Sequence, residues 1–215
     1  MDAVVFDLDG VLIDSERTWD EVRRAVVAEH GGRWLPEATR AMLGMSTPEW
    51  AAYLVNSLGA LTTPERIAQE VTARMVRRVA EDPPVLPGAV DTVRTVAARW
   101  PVGIASSAPP ALIDVVLRAT GLTDTVRVTL SSEQVGAGKP APDVYLAAAK
   151  ALSVPARECA AVEDSTNGLR SALAAGMAVY ALPNRHFPPD PEVLAEATAV
   201  LDDISDLPAA LRLDD

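Results

Sequence analysis

Cysteine, lysine and aromatic residues are all scarce in this chain of 215 residues. The single cysteine, Cys159, excludes an internal disulfide framework and leaves Cys-cluster zinc sites without ligands. It begins an apolar run and reads as buried packing. Aromatic side chains make up only 4 %, so the 49 % hydrophobic content must pack mainly as Ala, Val and Leu. No run of about 18 apolar residues escapes polar interruption, which excludes a membrane-spanning helix. The opening MDAVVFDLDG lacks the basic flank and apolar core of a secretory signal, so a reducing cytoplasmic setting is expected. Positive charge is also short: 19 basic against 30 acidic residues give a net charge of −11. Such a balance argues against nucleic acid and against an anionic membrane surface, because the mean potential repels phosphate. A small anionic substrate stays possible, since one lysine or one metal ion reverses the potential inside a cleft. His30 and His186 show no ligand spacing and read as surface or structural residues.

What is present alternates. Ala3 to Asp7, AVVFD, is an uninterrupted β-favouring run that turns polar abruptly, as a strand covered on both faces does. After Gly88, helix-like and strand-like segments follow in turn, with strands expected at 102–106, 126–132, 159–163 and 177–182 and a short last one near ATAVL. A final helix is expected from Ser205. This order indicates an α/β fold, a three-layer Rossmann-like sandwich with a parallel sheet and a ligand crevice at the carboxyl ends of its strands.

Residues 15–81 differ in character. They contain TWDEVRRAVVAEH, PEWAAYLVNSLG and PERIAQEVTARMVRRVAE, with helix-start signals at Ser46-Thr47-Pro48-Glu49 and Thr63-Pro64-Glu65 and no good strand. Two arrangements fit: an all-helical insertion hinged near 12–16 and 81–88, or helices that cover one sheet face. Arg77 and Arg78 read as a solvated helix face.

Polar clusters mark the expected strand ends. Asp7 and Asp9 lie two apart, so an extended backbone would point both carboxylates the same way, and Gly10 permits a sharp turn after them. Ser106 and Ser107 end one strand, Glu163 and Asp164 another. Lys139, one of two lysines against seventeen arginines, arrives in Gly136-Ala137-Gly138-Lys139-Pro140. That run lacks the glycine spacing and the following Ser or Thr of a phosphate P-loop. Carboxylates supply hard oxygen ligands for Mg²⁺, a hydroxyl and a compact ammonium can hold phosphoryl oxygens, and a remaining carboxylate can attack. The set supports phosphoryl transfer.

In order and spacing, DLDGVLIDSE, the strand-end serine of IASSA, the lysine of GAGKPAPDVY and VEDSTNGLRSALAAGM resemble the four motifs of the haloacid dehalogenase-like hydrolase superfamily. The subgroup (IA) of phosphoglycolate phosphatase and β-phosphoglucomutase is the most similar. The resemblance implies a core of residues 1–14 and 82–215 and a helical cap of the C1 type over 15–81. It implies that Asp7 is the nucleophile and that Asp9 is the general acid and base, contributing its backbone carbonyl to Mg²⁺. Asp164 would complete the metal site, with Glu163 a ligand through water or an orienter of the coordination shell. Ser106 would donate to the transferring phosphoryl group, Ser107 would do so or cap a helix, and Lys139 would link nucleophile and phosphate.

Substrate choice would then lie in the cap, where Glu16, Trp19, Met45 and Trp50 are candidates for contacting a neutral or weakly polar organic group. The expected function is Mg²⁺-dependent hydrolysis of a small phosphorylated organic metabolite, a sugar phosphate or a phosphoglycolate-like acid. Alternatives are a β-phosphoglucomutase-type sugar phosphomutase and a noncatalytic binding protein of the same fold. Thr18 and Trp19, the stretch Gly44-Met45-Ser46-Thr47, and Pro109-Pro110 stand where mutases carry a His, an Arg and a Lys, which weakens the mutase reading. No Lys occurs in 15–81, which removes the Schiff base of a phosphonate-cleaving relative. Monomer and homodimer are both compatible with the composition.

Overall fold

The computed structural model describes residues 1–42, 45–184 and 187–212. Gly44 and His186, which entered the sequence reading, lie outside them. Strand β1 (Ala3–Phe6) is followed by four helices, α1 (Glu16–Glu29), α2 (Ala38–Ala41), α3 (Thr47–Asn56) and α4 (Pro64–Glu81). The chain continues as α5 (Ala89–Ala97), β2 (Val102–Ser106), α6 (Pro110–Thr120), β3 (Val126–Ser131) and α7 (Asp143–Ala151). Then come β4 (Cys159–Glu163), α8 (Thr166–Ala174), β5 (Ala178–Ala181), α9 (Pro191–Leu194), β6 (Ala199–Val200) and α10 (Leu207–Ala210).

All strand pairings are parallel, in the order β3-β2-β1-β4-β5-β6. The chain steps outward from β1 to β3 and then returns to lay β4 on the other side of β1. Strand order therefore reverses at β1, and a reversal of this kind opens a crevice at the carboxyl ends of the strands. Alternation along β1 separates the two faces. Val4 and Phe6 join Val102, Ile104, Ala160 and Val162 beneath α5 and α6, while Ala3 and Val5 join Ala105, Cys159 and Ala161 beneath α7 and α8. Burying each such Val, Ile or Phe stabilises the fold by about 1.5–3 kcal/mol. Cys159 is buried in the second face, where loss of solvent pushes its thiol up to about 11, so it packs and stays protonated.

Between Ile13 and Val85 the described residues are helical or irregular. The two crossings into this segment run side by side: Ile13 bridges Val85, Asp14 N–H donates to the Pro84 carbonyl at 2.8 Å, and Leu86 N–H donates to that of Leu12 at 2.9 Å. Helix α4 packs against α1 and α3 and also against α6. Its amphipathic face buries Ile67, Val71, Met75 and Val79, the i, i+4 spacing of a one-sided helix. Thr63 caps it by accepting from Arg66 N–H, and at the start of α3 the Ser46 N–H donates to Glu49 Oε2 at 2.8 Å. No helix among the described residues is long and apolar enough to cross a membrane.

Candidate active site

The site forms where β1, β2 and β4 end together. Asp7 N–H donates to the Val162 carbonyl at 3.0 Å, carrying the β1–β4 ladder one residue past the strand. Leu8 is fully buried, and its carbonyl accepts from the N–H groups of Leu12 (2.8 Å) and Ile13 (3.1 Å), closing a tight turn. Gly10 adopts φ +80°, and a Cβ there would lie 1.9 Å from Asp164 Oδ2. Only glycine allows both the left-handed backbone and that approach. The turn, rather than the pleat, directs Asp9 into the cleft that Asp7 lines, because the strand itself stops at Phe6.

Lys139 reaches this point from the loop after β3. Its Nζ lies 3.0 Å from Asp7 Oδ1 and donates to Glu163 Oε1 at 2.5 Å and to the Ala105 carbonyl at 3.1 Å. Glu163 is fully enclosed, and both its oxygens are engaged. Oε1 also accepts from the Tyr145 hydroxyl at 2.8 Å, and Oε2 accepts from Asp164 N–H (3.1 Å) and the Ser165 hydroxyl (3.3 Å). These bonds tie Lys139 and Tyr145 to the turn that starts α8. Gly168 makes room, since a Cβ on it would sit 1.9 Å from Glu163 Oε2.

At the end of β2, Ser106 is buried and its Oγ accepts from Ala108 N–H at 3.0 Å, which leaves the hydroxyl proton available to the cleft. Ser107 Oγ is buried without a partner, and α6 begins after Pro109, so Ser107 does not cap that helix. Asp164 Oδ2 accepts from Asn184 Nδ2 at 3.1 Å.

Enclosing several acids together has an electrostatic consequence. Burial pushes Asp7 up to about 7, against the pull of Lys139 and with added repulsion from Glu163 and Asp9. Asp9 is raised by burial, opposed by its bonds from Ser15 and Trp19. Asp164 is raised well above the carboxylate range by burial and by Glu163 and Asp7. Burial alone would lower Lys139, but the facing carboxylates outweigh it and keep the ammonium charged. Asp7, Glu163 and Asp164 offer oxygens that all lie within 4.8 Å of one another. Buried like charges at this spacing cost several kcal/mol per ion unless a cation neutralises them, and an all-oxygen donor set suits Mg²⁺.

The wall opposite comes from the helical segment. Glu16, Trp19, Met45 and Trp50, all four expected from the sequence, line the cleft with Asp7, Asp9 and Lys139. Trp19 Nε1 donates to Asp9 Oδ1 at 3.1 Å, and the Ser15 hydroxyl donates to the same oxygen. Asp20, Arg23, Thr39 and Met42 line it as well and were not anticipated. Arg23 adds a cation to the four residues expected on this wall. Its Cζ stands 4.6 Å from the Trp19 ring centroid and 4.9 Å from that of Trp50, and its buried Nε has no hydrogen-bond partner. Burial brings Arg23 down to about 10, against support from Glu16, Asp9 and Asp20, so it stays a cation at neutral pH. Glu16 is pushed up to about 7 by burial and by Asp9, with Arg23 opposing. One signal could have found Asp20 and Arg23. Positions 16, 19, 20 and 23 recur at three- and four-residue spacing, one stripe of a helix that begins at Glu16.

A parallel sheet with its acids, serine and lysine gathered at the strand-order reversal defines a hydrolase of phosphoryl-transfer type. A model of the haloacid dehalogenase-like hydrolases matches residues 1–176, and the chain belongs to that family. It is 33 % identical over 201 residues to hexitol phosphatase B of Escherichia coli, covering 90 % of this chain and 89 % of that one. It is 30 % identical over 202 residues to the phosphorylated carbohydrates phosphatase of Thermotoga maritima, with 93 % of each covered. The crystal structure of CbbY from Rhodobacter sphaeroides in complex with phosphate superposes with a TM-score of 0.87, at 26 % identity and 99 % coverage of both chains.

Proposed function

We propose that this hydrolase is a Mg²⁺-dependent phosphomonoester phosphatase that acts on a small phosphorylated metabolite through an aspartyl-phosphate on Asp7. The observation that carries the reading is the pairing of Asp7 Oδ1 with Lys139 Nζ at 3.0 Å in a cleft that Asp9, Ser106 and Asp164 also line. The relatives named above, phosphatases of hexitol phosphate and of phosphorylated carbohydrates by their names, support it.

In this reading the ammonium of Lys139 and the hydroxyl of Ser106 hold phosphoryl oxygens as charge spreads over them. Ser107, whose hydroxyl is unpartnered, is a further donor. Asp7 attacks phosphorus in line. Asp9 gives its proton to the departing alkoxide and then takes one from the water that cleaves the acyl phosphate, two uses of one carboxyl group. Its raised pKa favours the protonated form that the first half needs. Asp7, Asp164 and the backbone carbonyl of Asp9 would hold Mg²⁺, with Glu163 fixing Lys139 and the start of α8. When bound, the ion neutralises the acid cluster and stabilises charge on the phosphoryl oxygens. Residues 15–81 serve as a cap over a core of 1–14 and 82–215, pivoting at the paired crossings and excluding water when shut.

Phosphate release from a panel of sugar phosphates and small phosphorylated acids, with Mg²⁺ and with EDTA, tests the proposal. Release that needs the metal and is lost in Asp7→Asn supports it, with deamidation excluded by mass spectrometry. Metal-independent release, or full activity in the variant, refutes it.

A further inference from the structure

Arg23 is the one cation on the helical wall of the cleft among the lining residues described, and the mechanism above gives it no task. It is held against an aromatic corner. Trp19 and Trp50 stand 6.1 Å apart between ring centroids and tilted at 57°, and the guanidinium packs against both, within 5 Å of each centroid, which holds it at the cleft wall. Nε is enclosed without a partner and no described residue accepts from the guanidinium, so its terminal N–H groups are left to a ligand oxygen in the cleft that Arg23 lines.

Its position says which oxygen. Trp19 bonds Asp9, the proton donor to the leaving oxygen in the proposed function, and Arg23 lies one helical turn farther along the same stripe of α1, about 5–6 Å away. Lys139 and Ser106 already serve the phosphoryl group on the far side. Arg23 therefore addresses atoms of the alcohol portion beyond the ester oxygen.

Neighbouring charge says which chemistry. Glu16 and Asp20 line the same wall, and Asp20 is tied to Arg24 at 2.5 Å and to Thr39. With Asp20 paired to Arg24, Glu16 balances Arg23, and a wall without net positive charge gives a second anion on the substrate no advantage. A hydroxyl group suits the wall better, because it accepts from Arg23 while donating to a carboxylate.

We propose that Arg23, packed against the tilted pair Trp19 and Trp50, is the specificity-determining residue of the cleft and donates to a hydroxyl of the substrate's alcohol portion, selecting polyhydroxylated phosphate esters over phosphorylated carboxylic acids. This rests on the phosphatase reading and narrows it.

The test compares wild type, Arg23→Gln and Arg23→Lys on glucitol 6-phosphate, 2-phosphoglycolate and p-nitrophenyl phosphate, with Mg²⁺. Affinities for the first two are measured by calorimetry in an Asp7→Asn background, where turnover is blocked. Wild type is expected to favour glucitol 6-phosphate over 2-phosphoglycolate in both kcat/KM and affinity. Arg23→Gln should lose about 10- to 100-fold in kcat/KM on glucitol 6-phosphate while changing less than about threefold on p-nitrophenyl phosphate, which has no hydroxyl to lose. Arg23→Lys, with charge but no planar fork, should fall between. Equal loss on both esters, no loss on either, or a wild-type preference for 2-phosphoglycolate overturns the proposal. Should Arg23→Gln fail to fold, Arg23→Lys and the wild-type affinity ranking decide. Absence of phosphate release from every ester would refute the phosphatase reading alone, and the two affinities would still judge Arg23.

Discussion

Trp19 Nε1 donates to Asp9 Oδ1 at 3.1 Å, which ties the first helix after the crossing to the turn that follows β1. The Ser15 hydroxyl donates to the same oxygen. The carboxyl group proposed to move protons is thus aimed from the helical side of the cleft, not from the sheet.

Trp19→Phe keeps the ring and removes the N–H. Loss of a hydrogen bond to the protonated carboxyl costs about 0.5–1.5 kcal/mol, so kcat on an alkyl phosphate should fall roughly two- to tenfold. An aryl phosphate such as p-nitrophenyl phosphate leaves without a proton, and its formation of phosphoenzyme should be much less affected. Steady-state and burst kinetics on both esters check this; equal effects would place the role of Trp19 in packing alone.

Gly168 is the second structural lever. A Cβ at this position meets Glu163 Oε2 at 1.9 Å and Oε1 at 2.0 Å, inside a fully enclosed carboxylate that also holds Lys139. Gly168→Ala should destabilise the protein by about 1–3 kcal/mol through overpacking and depress turnover by shifting Lys139. Urea unfolding and phosphate release measure the two effects.

Stability of the metal-free protein should depend on pH with a definite sign. Burial raises Asp7 from 3.8 to about 7 and raises Asp164, so in the folded state these groups hold protons that the unfolded chain has released. The stability they contribute is present in full below their unfolded pKa and lost as pH rises through the folded value. In EDTA, Tm should therefore rise as pH falls from about 8 to about 5.5, and Mg²⁺ should flatten the slope. Glu29 and Glu70 act oppositely, their pKa values lowered by bonds from Arg74 and His30 respectively, but they lose stability only below the ordinary carboxylate range. Glu29 and Glu70 do not line the cleft, so the difference between EDTA and Mg²⁺ isolates the acid cluster. Parallel curves with and without the ion would contradict it.

Much of the fold was legible because its signals are local. The runs VGIAS and CAAVE are strands over the residues expected, and PERIAQEVTARMVRRVAE is one helix from Pro64 to Glu81. Strands β1, β2 and β4 turn polar where they leave the sheet, and that abrupt change marked Asp7, Ser106, Glu163 and Asp164. The short helix Ala38–Ala41 was missed, since four residues carry too little periodicity to register. Arg23 was missed for a different reason. It adjoins Arg24, and composition cannot separate the two, yet Arg24 pairs with Asp20 and lies over Trp34 while Arg23 turns into the cleft. Helical phase decides between them, and phase depends on where α1 begins. Tyr145 and Asn184 bond Glu163 and Asp164 from distant segments, a relationship that only the folded chain reveals.

Whether Asp7 carries the phosphoryl group is decided by acid-quenched mass spectrometry of Asp9→Asn mixed with p-nitrophenyl phosphate and Mg²⁺. This ester needs no proton to leave, whereas release from the enzyme needs the base that the variant lacks, so the intermediate should accumulate. The peptide containing Asp7 is expected to gain the mass of one phosphoryl group, and Asp7→Asn should show none. Quenched Asp9→Asn without that label, or with the label on another residue, while the wild-type enzyme turns over, would contradict it.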